Sequence, residues 1–113
     1  MNVTRFSEAP EYSPPNHFNM RCVRLQGYEA GPSDVLWLGV SIIEPGGFTT
    51  LAGSPAEKHY VVLDGAVTVQ TDDGDELLER YDSCRLAASE RRALFNHTDR
   101  PALILLAMPR LEQ

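Results

Sequence analysis

The sequence predicts an all-β fold, a sandwich or barrel, on three observations. Short runs rich in Val, Ile, Leu and aromatic residues recur at fairly even spacing. Clusters of Gly, Pro and Asp separate them, and no segment sustains the i, i+3, i+4, i+7 spacing of an amphipathic helix. At 113 residues the chain reads as one domain, long enough to bury a real core.

Residues 1–16 carry Pro10, Pro14 and Pro15 among mixed polar residues. Proline fixes φ and removes donors, so this stretch is expected to be an extended arm lying along the surface or on a partner subunit. Residues 17–113 make the barrel domain. Cys22-Val23-Arg24-Leu25 is a brief strand ending at Gln26-Gly27. Val35 to Ile43 is longer and almost wholly apolar, as suits a strand covered on both faces, and Pro45-Gly46-Gly47 is expected to end it. Tyr60 to Leu63 follows, with Asp64-Gly65 as a hairpin turn into Ala66 to Thr71. Asp72-Asp73-Gly74-Asp75 makes another turn, and its acidic residues lack the spacing of a calcium loop. Glu76 to Arg80 is too short to count as a helix. Ala102 to Met108 is a last apolar strand between Pro101 and Pro109.

Charge and composition exclude several classes. Sixteen acidic against ten basic residues give a net charge of −6, which argues against a nucleic-acid partner, because affinity for a phosphate backbone comes from clustered Lys and Arg. No apolar run is long enough to span a membrane, and the amino terminus lacks a basic start followed by an apolar stretch, so a cytoplasmic protein is expected. Cys22 and Cys84 form no metal or redox motif and are read as packed side chains in a reducing compartment. No G-x-S-x-G elbow or phosphate-binding turn is present. Asn96-His97-Thr98 fits a glycosylation triplet only as a string.

The stretch Pro45 to Val69, PGGFTTLAGSPAEKHYVVLDGAVTV, resembles the first motif of the cupins, with Pro45-Gly46-Gly47 and Leu63-Asp64-Gly65 at matching separation. Tyr81-Asp82-Ser83 through Asn96, then Asp99-Arg100-Pro101-Ala102, resembles the second. The resemblance implies a double-stranded β-helix, or jelly-roll barrel, often a homodimer. It also marks four departures. Ala52 and Ser54 stand where the family places two histidines, Lys58 where it places an acidic ligand, and Arg92 where the second motif supplies its histidine. Only Asn96 matches. Arg cannot ligate a metal and Lys would first have to lose its proton, so no metal and no other cofactor is expected.

The resemblance turns the motif positions inward, so Lys58 and Arg92 are expected in one cavity. Strand alternation adds Tyr60 beside Lys58 and Asn96 beside Arg92, with Ser54 nearby. His17, at the end of the arm, is placed at the cavity mouth. Such a set suits a small anionic ligand such as a carboxylate or an enolate-like intermediate. One reading is a metal-independent isomerase, dehydratase or lyase: Arg92 holds the anion, Lys58 acts as base or amine nucleophile, and Tyr60 donates a proton. A second is a binding or sensing module without chemistry. A third keeps a metal in an atypical site using His17, His59 or His97, although His59 and His97 lie one residue out of register with the inward face. The competing arrangement pairs Lys58 with Glu57 or Glu90 and turns Arg92 to solvent.

Overall fold

A computed structural model describes residues 1–110. Its strands are β1 (Glu11–Tyr12), β2 (His17–Gln26), β3 (Leu36–Thr49), β4 (Lys58–Asp64), β5 (Val67–Thr71), β6 (Gly74–Leu78), β7 (Ser83–Leu86), β8 (Arg92–Phe95) and β9 (Ala102–Pro109). The helical content among the described residues is two 3-10 turns, Phe6–Glu8 and Tyr28–Ala30. The pairs are antiparallel, and the sheet runs β6-β5-β8-β3-β9-β4-β7, with β2 on β3 and β1 on β2. The sheet curls into a nearly closed barrel, the all-β jelly roll expected.

Period-2 alternation builds the core. Along β9, Ala102, Ile104, Leu106 and Met108 are buried while Leu103, Leu105 and Ala107 are only half-buried. Ile43, Val62 and Val67 meet them inside. Burying such a side chain stabilises by about 1.5–3 kcal/mol, so this inner row carries much of the fold. Val40 and Ser41 point to opposite faces of β3 and both are buried, as a doubly covered strand requires.

Three expectations change. First, Pro45-Gly46-Gly47 bends β3 without ending it. β3 pairs with β9 from Leu36 to Ile43, and beyond the bend Phe48 pairs with Phe95 of β8. The corner depends on glycine: Gly46 has φ +80°, and a Cβ on Gly47 would lie 2.5 Å from the Asn19 carbonyl oxygen. Second, Asp64-Gly65 is no hairpin. β4 pairs with β7 and β9 whereas β5 pairs with β6 and β8, so this turn carries the chain from one half of the barrel to the other. Third, the residues after Asp73 form strand β6, whose pairing with β5 closes a tight hairpin at Asp72-Asp73.

The arm lies on its own barrel. β1 pairs with β2, the Arg24 amide donates to the Pro10 carbonyl at 2.8 Å, and the Asn2 amide donates to Gln26 at 3.3 Å. The Arg24 guanidinium sits between the rings of Tyr12, Tyr28 and Trp37, 3.9, 4.9 and 4.4 Å from their centroids. That cage fixes Tyr12 over the barrel and brings Pro14, Pro15 and His17 to its open end.

Candidate active site

The barrel holds two adjoining chambers. The outer one, about 440 Å³, is lined by polar groups including His17, Thr49, Thr50, Ser54, Lys58 and Arg92, with Ala52 and Tyr60. The inner one, about 130 Å³, is mostly apolar, with Met20, Trp37, Leu94 and Leu106 beside Tyr12 and Ser41. His17, Lys58 and Tyr60 line both chambers. No Asp or Glu is among the lining residues of either.

Each polar group is placed by its strand. Lys58 and Tyr60 point inward two residues apart on β4, and Arg92 opens β8 opposite them. The Ala52 and Arg92 backbones bond reciprocally, and Arg92 Nη1 also donates to the Ala52 carbonyl, which aims the guanidinium at the cavity rim. Arg92 Nε is buried and makes no hydrogen bond among the described residues. The loop carrying Ser54 is held by Ser89, whose amide donates to the Ser54 carbonyl at 2.6 Å.

Electrostatics follow from burial and from two neighbouring cations. Burial, reinforced by Arg92, brings the Lys58 ammonium down to about 8. Its side chain makes no hydrogen bond or ion pair among the described residues. Glu57 and Glu90 are engaged elsewhere: Glu57 pairs with His59 and Arg85, and Glu90 accepts the Ala87 amide at 2.9 Å. Burial pushes the Tyr60 phenol up while Arg92 pulls it back, so the phenol keeps its proton near neutrality. His17 is lowered, by burial first and by Lys58 and Arg92 second, and stays neutral. Its Nδ1 lies 2.7 Å from the Pro15 carbonyl, which can only accept, so Nδ1 carries the hydrogen and Nε2 is a free acceptor.

The expected residues Lys58, Tyr60, Arg92, Ser54 and His17 thus come together in one cavity. Asn96 does not join them. It shares the inward face of Arg92, yet four residues further along, about 13 Å at strand rise, it lies at the other end of the barrel. There it is fully buried. Its Nδ2 donates to the Ile43 and Arg100 carbonyls at 2.8 and 2.9 Å, and its Oδ1 accepts from the Thr98 amide and hydroxyl. The amide is consumed in closing that end.

The family's usual metal positions, occupied here by Ala52, Ser54, Lys58 and Arg92, offer no suitable ligand set for a metal ion. The three histidines lie apart. His59 is on the outer surface with Glu57, His97 stacks on Phe95 at 4.0 Å, and among the described residues no group of three or more His, Cys, Asp and Glu is placed to hold an ion.

Sequence reasoning missed Thr49, Thr50 and the inner chamber. It also passed over a signal that was available by counting: Lys58 is the only lysine in the chain, and the other nine of the ten basic residues are arginine.

No family model matches the chain. It is 43% identical over 108 residues to a Mycobacterium tuberculosis protein named Beta-D-galactosidase Rv1717, across 96% of this chain and 93% of that one. Among solved structures it resembles the polyketide cyclase RemF from Streptomyces resistomycificus, with TM-score 0.86 and 15% identity over 96% of this chain and 79% of that one. An RmlC-like cupin from Shewanella frigidimarina matches with TM-score 0.79 and 10% identity over 100% of this chain and 94% of that one. At these identities the two structures speak for the fold alone.

Proposed function

The chain belongs to the cupin superfamily, and from that premise we propose that it binds a small anionic metabolite between Lys58 and Arg92 and transfers a proton on it, in isomerase, dehydratase or lyase chemistry without a metal. One observation carries the reading: two cations share a cavity whose lining contains no carboxylate to neutralise them. An anion supplies the missing charge, and bonds from charged donors are short and strong. Arg92 offers a planar fork for a carboxylate. Neutral His17 accepts the proton through Nε2, and the Tyr60 phenol donates to developing negative charge.

The test is a thermal-shift and calorimetric screen of small mono- and dicarboxylates and sugar acids, followed by NMR assay of any that bind. Binding that disappears in Arg92→Met and Lys58→Met supports the site. Binding without turnover reduces the protein to a sensing module, and no anion binding at all removes the proposal.

The 43% identical relative favours a second reading, hydrolysis of a β-D-galactoside. Glycoside hydrolysis ordinarily uses two carboxylic acids flanking the bond, and neither chamber has one among its lining residues. Release of nitrophenol from nitrophenyl β-D-galactoside, lost in Lys58→Met, would make this the better reading.

A further inference from the structure

We propose that Lys58 is an amine nucleophile whose Nζ condenses with the ketone of a small oxo acid, the acid's carboxylate resting on Arg92 and its short apolar end entering the inner chamber. The inference rests on the anionic-ligand reading above and names the class of ligand.

The choice of residue is the first argument. The chain meets every other need for positive charge with arginine and places its one lysine inside the cavity. Arginine there would hold an anion at least as well. What lysine adds is a proton it can lose and a nitrogen lone pair it can then offer. The surroundings favour that loss, because no carboxylate lines the cavity and Arg92 faces the amine. With an ammonium that loses its proton near 8, about a tenth of the molecules carry a free amine at neutral pH.

The shape of the cavity is the second argument. Lys58 stands in the wall common to both chambers, with Arg92 lining the polar one and Met20, Trp37, Leu94 and Leu106 lining the other. A ligand that spans the two therefore presents its middle to Nζ, its anion to the guanidinium and an alkyl group to the inner chamber. A ketone flanked by a carboxylate arm and a short alkyl arm has that order of groups.

The step balances without a cofactor. The Nζ lone pair forms a C–N bond as the carbonyl π pair moves to oxygen, which takes from solvent the proton that the Lys58 ammonium had released. Nitrogen releases a proton to Nε2 of His17. His17 returns that proton to the new hydroxyl, the C–O bond breaks with its electron pair leaving as water, and the nitrogen lone pair closes the C=N bond. Amine, ketone and one proton become a protonated imine and water.

The experiment is borohydride trapping on the whole chain. Protein is incubated with pyruvate or acetoacetate and sodium cyanoborohydride, with lactate and β-hydroxybutyrate as partners that lack the ketone. The chain has two primary amines, Lys58 and the amino terminus, so peptide mapping assigns the adduct without ambiguity. The expected result is a mass gain equal to the acid less one oxygen, at Lys58, about tenfold faster than at the amino terminus. Lys58→Arg, checked for folding by its melting curve, loses the adduct, and Arg92→Met slows it about tenfold. If the hydroxy acids bind but the oxo acids leave no adduct on Lys58, or label only the amino terminus, the imine is overturned and anion binding stands. If none of the four acids binds or reacts, the anionic-ligand reading falls as well.

Discussion

Arg92 and Ala52 clasp one another at the cavity rim. Each backbone amide donates to the other's carbonyl, at 3.1 and 3.0 Å, and the guanidinium returns to the same Ala52 carbonyl through Nη1. The backbone pair survives any change of side chain, so Arg92→Lys should fold normally while losing the fork. Hydrogen bonds to charged groups contribute about 1.5–3 kcal/mol, and carboxylate affinity measured by calorimetry should fall about tenfold or more.

Lys58→Met should make the protein more stable at neutral pH. The folded state holds the Lys58 proton less tightly than the unfolded chain, at about 8 against 10.5. The resulting penalty is therefore fully present below about 8, declines as pH rises towards 10.5, and vanishes above it. Allowing for partial screening by solvent, it is of the order of 2 kcal/mol. Urea melts of both proteins at neutral and alkaline pH should show a gap that closes at the higher pH. Anion affinity of the unaltered protein should fall across the same window.

Asn96→Ala should damage the fold and leave ligand specificity alone. The change takes the Asn96 donor from the Ile43 carbonyl in a fully buried place and leaves the half-buried Thr98 amide without its acceptor, while the Arg100 carbonyl keeps the Thr98 hydroxyl. A stranded buried group costs about 1–3 kcal/mol, so a loss of about 3 kcal/mol in a denaturant melt is expected. An unchanged melt with weakened ligand binding would return Asn96 to the site.

Gly65→Ala should be similarly severe for a different reason. Gly65 has φ +75°, and an added Cβ would lie 2.6 Å from the Pro101 carbonyl oxygen. Backbone strain and the clash together should cost about 2–3 kcal/mol, read as a lowered melting temperature.

Much of this molecule was legible in the sequence because strand alternation and turn chemistry are local. The inward pairing of Lys58 with Tyr60 follows from a two-residue spacing, and the turn that ends β5 from Asp72-Asp73, although the strand beyond it was not read. What failed was non-local. Whether Asp64-Gly65 turns back or crosses over depends on β9, whose residues are nearly forty positions away, lying beside β4. Asn96 has the inward parity of Arg92, but parity says nothing about depth along the barrel. The arm's return to its own barrel depends on an Arg24 cage assembled from three separate segments.

The position of β9 has a consequence for synthesis. In the sheet it lies between β3 and β4, hydrogen-bonded to both, yet of the described strands it is made last. As the chain leaves the ribosome, β3 and β4 emerge with their shared edge open, and no local hairpin can seal it. Those two edges keep their backbone N–H and C=O groups unpaired until β9 slots between them. The site draws Lys58 from β4 and Arg92 from β8, so it is assembled only when β9 joins the two halves of the barrel.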